Sequence, residues 1–355
     1  MLTLRKIRPG AGSVELEQRP KPEAAPDQVI VQVTGAGICG TDLHILLGEY
    51  PCRPPVTLGH EFAGVVVALG SAVEPTWLGT RVVVEPMFST CGSCSPCLTG
   101  HRNLCSERVS LGSGVDGGFA EFVAVPARNL HLLPGSLSDA AAPVLEPLAC
   151  VVNALADPAI VSPGDRVIVS GPGPIGVLAA QIARASGGSV TITAIEEDRG
   201  RARLAEALGF DVLIVSDDTP ASLEAAVWIE CSGAEAAARL GISSLVPRGR
   251  YVQLGLFGRD PQLPMDVATA REIAVTAGFA STSRSWRRAI AMVAKGAIDL
   301  EALVSEVVPL VQWELAFEKA RNRVGLKYVL DPRLAGGHDG AHATSGTPLA
   351  PTSAT

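Results

Sequence analysis

The chain has 355 residues, of which 47% are apolar and 18% charged, a composition typical of a soluble protein with enough apolar residues for two domains. Its formal net charge of −7 argues against a nucleic-acid partner, because it implies no basic face. No apolar run approaches the roughly 20 residues that a membrane span needs, and the N-terminus lacks the apolar core of a secretory signal. We therefore expect a cytoplasmic protein that binds neither nucleic acid nor membrane.

Residues 1–156 are predicted to form an irregular, β-rich domain, because short apolar segments alternate there with Gly and Pro turns. Residues 29–34 alternate apolar and polar side chains, which is typical of a strand with one exposed face. A helix is predicted at residues 140–154. Further strands are predicted at residues 62–69, 81–84 and 117–125.

The segment 33–61 of this domain holds a thiol, an imidazole and a carboxylate at glycine-flanked positions. They are Cys39 in G-I-C-G, and His60 and Glu61 in G-H-E. Sulfur, nitrogen and oxygen are ligands that Zn²⁺ takes in proteins, and three protein ligands leave one position open for chemistry. The alternative is a buried cysteine that acts as a small apolar residue beside a hydrogen-bonded histidine. The segment alone does not decide between the two.

Three further polar residues fit the same hypothesis. Thr41 and His44 follow Cys39 closely and supply a hydroxyl and an imidazole, the groups that a proton path away from a metal-bound alcohol requires. Glu146 lies in the apolar segment L-E-P-L-A-C, where an acid is costly unless it is paired or binds a cation. The alternative for Glu146 is a carboxylate stabilised by the N–H groups at a helix start.

Four of the eight cysteines lie close together as Cys91-x₂-Cys94-x₂-Cys97-x₇-Cys105. Four thiolates at this spacing can close a tetrahedral shell around Zn²⁺ with no open position, so we expect a structural zinc site. The alternatives are two disulfides or free thiols. In a reducing compartment the clustering favours the metal.

From residue 157 to residue 285 the pattern changes to alternating strands and helices. A buried strand at residues 166–170 precedes G-P-G-P-I-G, which opens a helix running to about residue 185. In this turn we expect the first glycine to make the sharp bend, the second to admit a pyrophosphate and the third to let helix and strand pack. The predicted coenzyme-binding residues of the turn are Gly171, Gly173, Pro174, Ile175 and Gly176.

An acid about 20 residues after the last glycine is expected to hold the adenosine ribose. Glu196 lies at that distance, at the end of the next predicted strand, with Glu197 as the neighbouring alternative. Such an acid repels a 2′-phosphate, so NAD is favoured over NADP. Arg199 and Arg201 follow directly, which keeps NADP as an alternative and makes Arg201 a further candidate coenzyme ligand.

The alternation then continues to a doubly wound parallel sheet of about six strands, with a connection at residues 215–227 that looks short by one helix. Residues 286–332 are predicted to return to the first domain through two helices and the segment V-S-E-V-V-P-L. Residues 333–355 have few large apolar side chains and are predicted to be disordered, with His338 and His342 solvated. The predicted strands and helices of the sheet are 190–195, 201–208, 212–215, 227–231, 234–245, 251–256 and 273–277.

Together these pieces resemble the zinc-dependent medium-chain alcohol and polyol dehydrogenases over residues 1–332. The resemblance rests on G-I-C-G-T-D, G-H-E, the four-cysteine segment, G-x-G-x-x-G and the late G-L-K-Y-V-L-D-P. Within the family the chain looks most like the sorbitol and threonine dehydrogenase branch. The resemblance implies a GroES-like catalytic domain joined to a Rossmann domain. It further implies two Zn²⁺ ions per chain, NAD as coenzyme, a small alcohol or ketone as substrate, and a dimer or tetramer of like chains.

The resemblance also implies roles for the named residues. Cys39 and His60 match the two constant ligands of a catalytic zinc, and Glu61 matches the third ligand of sorbitol-type enzymes. Glu146 matches an acid that binds this zinc directly or through water, so the choice between the two acids stays open. The remaining matches are Thr41 and His44 with a proton relay, and Cys91, Cys94, Cys97 and Cys105 with the structural zinc.

The implied activity is hydride transfer between a polyol-like secondary alcohol and NAD(P). One departure concerns the substrate: where sorbitol dehydrogenases carry an Arg-Tyr pair that holds the polyol, this chain has Ser281 and Thr282. Sorbitol itself is therefore not implied, and an amino alcohol, a cyclitol or an aminocyclitol is the alternative. Outside this class, the alternatives are a zinc-free enone reductase and an NAD-binding scaffold without turnover.

Overall fold

The fold consists of two units. The chain forms most of the first unit, then the second, and its last strands return to the sheet of the first. The computed structural model describes residues 1–216, 219 and 222–334. None of the helices in these residues is both long and apolar enough to cross a membrane.

The first unit is rich in short strands, as predicted. The strand predicted at residues 117–125 begins only at Phe122, because the preceding glycines pack closely on another loop: a Cβ on Gly117 would lie 2.1 Å from the carbonyl oxygen of Gly59. The elements are β1 (Leu2–Lys6), β2 (Val14–Gln18), β3 (Gln28–Gly37), α1 (Gly40–Leu47), β4 (Val56–Thr57), β5 (Glu61–Leu69), β6 (Arg81–Val84), β7 (Met87–Ser89), α2 (Ser95–Leu98), β8 (Val109–Ser110), β9 (Phe122–Pro126), β10 (Leu130–Leu132) and α3 (Leu145–Leu155).

Helix α1 was not predicted from the sequence, although its signals are present. Cys39 is its N-terminal cap, and the side chain of Asp42 accepts a hydrogen bond from the Cys39 N–H at 2.9 Å. The helix ends at Gly48, which has a left-handed φ of 78°. The chain thus turns sharply between β3 and α1 at a predicted metal ligand.

The second unit alternates strands and helices, and the last part of the chain follows it. Two neighbouring boundaries differ clearly from the prediction: the helix expected at 234–245 ends at Ser244, and the strand expected at 251–256 follows it directly as Leu245–Gln253. The elements are β11 (Arg166–Ser170), α4 (Pro174–Ala185), β12 (Ser189–Ala194), α5 (Arg199–Ala207), β13 (Asp211–Ile214), β14 (Ala225–Glu230), α6 (Glu235–Ser244), β15 (Leu245–Gln253), α7 (Met265–Ala270), β16 (Ala274–Ala277), α8 (Ser283–Ala294), β17 (Val304–Pro309), α9 (Trp313–Arg321) and β18 (Lys327–Asp331).

Two sheets define the architecture. The first runs in the order β10-β6-β5-β3-β18-β17, with β9 also paired to β3, so the last two strands of the chain complete the sheet of the first unit. The second has six parallel strands in the order β13-β12-β11-β14-β15-β16. The order reverses between β11 and β14, which is where doubly wound sheets bind dinucleotides. The predicted combination of a GroES-like and a Rossmann unit is confirmed.

Two predictions fall on residues outside the described part. The shortened connection lies between β13 and β14 and includes residues 217, 218, 220 and 221, and the tail from residue 335 onward includes His338 and His342. Elsewhere the core is continuous between the units. Helices α3 and α8 pack together, and Trp286 of α8 is fully buried in the cluster that also contains α4 and the face of the parallel sheet.

Candidate active site

Cys39, His60 and Glu61 come together at the ends of the two central strands of the first sheet. Strand β3 ends at Gly37, directly opposite Glu61 at the start of antiparallel β5, and Cys39 follows two residues later. One ligand atom from each of the three side chains lies within 4.8 Å of the others. A Cβ on Gly37 would lie 2.4 Å from Glu61 Oε2, so the close approach of the carboxylate requires glycine there.

Lys327 on β18 forms a buried ion pair with Glu61. Its Nζ donates to both carboxylate oxygens, at 2.8 and 2.6 Å, and to the carbonyl of Ile38 at 3.0 Å. The two side chains are only 4% and 1% exposed. Burial lowers the pKa of Lys327, but Glu61, Cys39 and Glu146 together outweigh it and leave the pKa raised. The pair therefore fixes the Glu61 carboxylate beside Cys39 and compensates its charge.

Asp42 of α1 lies close to the imidazole of His60. The Asp42 side chain is fully buried, and burial raises its pKa. While Oδ2 accepts from the Cys39 N–H, Oδ1 has no hydrogen-bond partner among the described residues and lies 3.9 Å from Nδ1 of His60. A buried oxygen without a partner is costly, so this atom is placed to accept from the imidazole when the ring is a ligand through its other nitrogen.

The electrostatics of the cluster favour a cation. Burial would lower the pKa of His60, but Cys39, Asp42 and Glu146 raise it well above 6.5. Burial raises the pKa of Glu146 to about 7, and the Cys150 thiol lies 3.5 Å from its Oε1. Glu146 is near enough to act on His60 but is not part of the three-residue ligand group. The S, N and O donor set, surrounded by acids, fits Zn²⁺.

Thr41 and His44 lie on α1, three residues apart and hence on one side of the helix. Thr41 Oγ1 is 3.8 Å from Cys39 Sγ. His44 has an exposed side chain, and its Nδ1 lies 2.7 Å from Oε2 of Glu49. The two residues thus lead from the ligand cluster toward solvent.

The four cysteines of the lobe formed by residues 91–105 converge around α2. All four sulfur atoms lie within 4.8 Å of one another, with Cys91 Sγ 3.9 Å from Cys97 Sγ and 3.6 Å from Cys105 Sγ. Hydrogen bonds from the N–H groups of Ser93 and Cys94 lower the pKa of Cys91 to about 6. Four sulfurs with a readily formed thiolate fit a closed tetrahedral zinc site.

A cavity of about 420 Å³ opens at the carboxyl end of the parallel sheet, beside the glycine turn. Gly171 has a φ of +95°, and a Cβ on Gly176 would lie 1.9 Å from the Gly171 carbonyl oxygen, so both positions require glycine. At Gly173 no atom lies closer to an added Cβ than Arg201 Nη1 at 3.9 Å. This open backbone at the start of α4 fits a pyrophosphate. Pro174, Ile175 and Gly176 form the first turn of α4.

At the far end of the cavity the lining acid is Asp198 and not the predicted Glu196. The Glu196 carboxylate is exposed and forms two hydrogen bonds with Arg199, at 2.6 and 2.5 Å, which lower its pKa. Asp198 pairs with Arg323 at 3.3 Å. Arg201 also lines the cavity and donates to the carbonyl of Gly325 at 2.7 Å.

Ser281 and Thr282 are occupied by contacts within the fold. Ser281 is buried, and its Oγ accepts from Nε1 of Trp286 at 3.0 Å. Thr282 caps α8 by a reciprocal pair of hydrogen bonds with Ser285. Both hydroxyls thus accept a hydrogen bond within the fold, and neither side chain supplies the long, charged donor that an Arg-Tyr pair would.

Sequence reasoning missed Asp42, Lys327 and Asp198. A signal existed for Lys327, since it is a charged residue inside the apolar run of β18, the same kind of signal that singled out Glu146. Asp42 had a signal as the third residue of a capped helix. For Asp198, the expected distance from the last glycine pointed to Glu196 or Glu197, and nothing in the sequence pointed to the third acid of the run.

Comparison with known proteins agrees with this geometry. A family model described as the alcohol dehydrogenase GroES-like domain matches residues 25–135, and one described as zinc-binding dehydrogenase matches residues 174–295. The chain is 36% identical over 342 residues to sorbitol dehydrogenase of Halalkalibacterium halodurans, covering 94% of this chain and 99% of that protein. It is 34% identical to D-arabitol-phosphate dehydrogenase of Enterococcus avium, over 92% of this chain and 96% of that protein.

Among solved structures, an alcohol dehydrogenase from Escherichia coli CFT073 in complex with NADH matches with a TM-score of 0.84 and 27% identity, covering 93% of this chain and 99% of that one. The fold, the two ligand clusters and the curated relatives all indicate the same family, and the matches to the relatives cover nearly the whole chain. The chain belongs to the zinc-dependent medium-chain dehydrogenases, in their polyol dehydrogenase branch.

Proposed function

We propose that the protein is a zinc-dependent oxidoreductase that transfers a hydride between a polyol-like secondary alcohol and NAD, interconverting alcohol and ketone. One observation carries the proposal: Cys39, His60 and Glu61 place a sulfur, a nitrogen and an oxygen within 4.8 Å of one another in the unit that is joined to a dinucleotide fold. A scaffold without turnover has no need for this open, three-ligand cluster.

The residues proposed to hold the catalytic zinc are Cys39, His60 and Glu61, because one ligand atom of each lies within 4.8 Å of the other two. Glu146 lies just outside and is proposed as a nearby acid. When bound, zinc supplies a Lewis acid for the substrate oxygen, and the nicotinamide supplies the hydride acceptor. Lys327 orients Glu61, and Asp42 faces the imidazole of His60, so both hold the ligand set in place.

The substrate proton is proposed to leave along α1. Thr41 lies beside Cys39 and can pass a proton through its hydroxyl, and His44, whose Nδ1 lies 2.7 Å from Oε2 of Glu49, can take it up at the surface. Glu146 is the second proton acceptor, because its pKa of about 7 lets it gain and lose a proton near neutral pH.

The substrate class follows the relatives, which act on sorbitol and on D-arabitol phosphate. We propose a polyol-like alcohol other than sorbitol, because the Ser281 and Thr282 hydroxyls are bound within the fold. For the coenzyme we propose NAD, with Asp198 at the cavity end where the adenosine ribose is expected and Arg201 and Arg323 beside it. Glu196 remains a predicted ribose ligand only if its pair with Arg199 opens.

A substrate panel tests the proposal. Polyols, polyol phosphates, cyclitols and amino alcohols are each incubated with NAD and with NADP while reduced nicotinamide is followed by absorbance. We expect a polyol-like secondary alcohol with NAD to give the highest kcat/KM. An amino alcohol or a cyclitol as the best substrate would replace the proposed class. Absence of turnover with every alcohol, in protein that holds two zinc ions per chain, would overturn the proposed function.

We also propose a cytoplasmic homo-oligomer, a dimer or a tetramer. All eight cysteines are free thiols, as expected in a reducing compartment. At the edge of the parallel sheet, all four residues of β16 are exposed, and Val275 among them is 47% exposed. An exposed edge strand is a template for pairing with a second chain. Sedimentation of wild type and of Val275→Lys tests this: the substitution should shift the protein to monomer.

A further inference from the structure

A fully buried carboxylate with no role in the proposed mechanism lies under the coenzyme cavity. Glu230 is the last residue of β14 and is 0% exposed. Parallel pairing places Ser170 of β11 on one side of it and Gln253 of β15 on the other, so the carboxyl ends of three strands form one row. The strand order of the sheet reverses between β11 and β14, so Glu230 lies at the switch point where dinucleotides bind.

Every donor that reaches Glu230 is neutral. Oε1 accepts from the hydroxyl of Ser170 at 3.2 Å, from the N–H of Ser232 at 2.8 Å and from the Ser232 hydroxyl. Oε2 accepts from Nε2 of Gln253 at 2.7 Å, and the N–H of Gly233 lies 3.1 Å from both oxygens. N–H donors on both oxygens match the acceptor-only chemistry of a carboxylate.

The negative charge of Glu230 is not cancelled by a neighbouring cation. Within the described residues, no ion pair joins it to a lysine, arginine or histidine. Neighbouring groups respond to this charge. Burial, followed by the charge of Glu230, raises the pKa values of Cys231 and Tyr251. Hydrogen bonds from neutral groups stabilise the charge without removing its field from the cavity above.

Glu230 lies below the half of the coenzyme cavity that is on the β14 side of the switch point. Ser170, Cys231 and Ser232, the residues in contact with or next to Glu230, all line the cavity. In a doubly wound sheet the adenosine occupies the half that contains β12, and the other nucleotide lies over the half that begins with β14. The nicotinamide ring there is a cation when oxidised and neutral when reduced. A fixed negative charge therefore stabilises one redox form more than the other.

We propose that Glu230 is a specificity-determining residue that favours binding of the oxidised, cationic coenzyme over the reduced one. The inference rests on the proposed function only in taking a nicotinamide dinucleotide as the occupant of the cavity. It gives the enzyme a means of retaining the hydride acceptor and releasing the reduced product. Because the charge does not touch the reacting atoms, its effect is expected in binding constants and not in a proton-transfer step.

The test compares the dissociation constants of NAD⁺ and NADH for the full-length protein, measured by calorimetry and by nicotinamide fluorescence. In Glu230→Gln, the ratio Kd(NAD⁺)/Kd(NADH) should rise about three- to tenfold, as expected when one buried charge that acts on the cationic ring through a partly polar medium is removed. Gln253→Lys, which places a cation beside Glu230, should raise the ratio in the same direction.

Two controls separate charge from structure. Ser170→Ala removes one donor without changing the charge, and Glu206→Gln removes an exposed acid outside the cavity lining. Both should leave the ratio within about twofold of wild type, even where both affinities fall.

Equal changes in the two affinities of Glu230→Gln would mean that the carboxylate only supports the loop of Ser232 and Gly233, and would overturn the inference. If that variant does not fold, an unchanged ratio in Gln253→Lys overturns it equally. Wild-type protein that binds neither form would overturn the proposed function and this inference with it.

Discussion

The two ligand clusters of the chain are built in opposite ways. The cluster of Cys39, His60 and Glu61 is assembled from separate strands, and its charge is balanced by Lys327 from the far end of the chain. The four-cysteine lobe is local: its ligands all lie within residues 91–105, and Cys105 is the one ligand that is buried. Leu98 and Leu104 in the lobe are 74% and 55% exposed, so it has little core of its own.

This difference indicates what holds each site together. The fold and the Lys327 pair hold the first cluster, so its shape should survive removal of the ion. The lobe has no such support, so the ion itself should hold its shape, as metal binding does in small domains without a core. The four predictions below test this contrast, from the largest expected effect to the smallest.

Replacing Cys39 by Ser should lower kcat/KM by about 10³-fold or more, because it removes the sulfur ligand of the proposed catalytic ion. Thermal stability and NAD affinity should stay near wild type, since the fold supports the cluster. Turnover assays, calorimetry and a thermal melt check the three quantities. Cys52→Ser, which lies outside both clusters, is the control, and full activity of Cys39→Ser would rule out this site.

Replacing Lys327 by Met should lower the free energy of unfolding of the metal-free protein by about 3–5 kcal/mol, because Glu61 is left buried and charged without its partner. The double variant Glu61→Gln with Lys327→Met should recover most of that loss. Lys319→Ala breaks an exposed pair with Glu306 and should cost no more than about 1 kcal/mol.

Urea denaturation of the four metal-free proteins measures these differences. A Lys327→Met variant as stable as Lys319→Ala would contradict the idea that the ion pair supports the first cluster.

Replacing Cys94 by Ser should lower the zinc content from two ions per chain to one and reduce the melting temperature by about 5–10 °C. The remaining ion should be the one at Cys39, so some turnover should persist at low temperature. Metal analysis and calorimetry give the two numbers. A variant with one ion but an unchanged melting temperature would show that the lobe is held by its protein contacts after all.

Replacing Asp42 by Asn should weaken zinc binding at the Cys39 cluster by about 10- to 100-fold, because the carboxylate no longer holds His60 as a ligand. The affinity of the four-cysteine lobe should not change. Competition with a chelator, resolved into its two phases, measures both sites in one sample, so the lobe is the internal control. Equal weakening of both sites would point to a general loss of structure.

The features that the sequence predicted well depend on residues that are neighbours along the chain. The cysteine spacing and the glycine turn are local patterns that lie where they were expected. Most strands do as well, although the strand predicted at 117–125 begins only at Phe122. Helix α1 was also within reach, since Asp42 and Gly48 are ordinary start and stop signals. It was not predicted because its N-terminal cap is Cys39, and cysteine is not one of the residues that usually cap a helix.

What the sequence did not predict depends on tertiary structure. Lys327 lies 266 residues from Glu61, and no local pattern tells which of the many acids a lysine will meet. The three acids from Glu196 to Asp198 form one turn of 3₁₀-helix, so each points in a different direction. Which one faces the cavity is set by the path of the backbone into α5, and only the structure gives it.

The return of β17 and β18 to the first sheet has a consequence for biosynthesis. Strand β18 pairs with β3, so the sheet that carries Cys39 and Glu61 is incomplete until the ribosome has made nearly the whole chain. The Rossmann unit, which is contiguous, can form earlier during translation. Until Lys327 emerges, the carboxylate of Glu61 lacks the ion-pair partner that it has in the folded protein, so the proposed catalytic centre is expected to mature late.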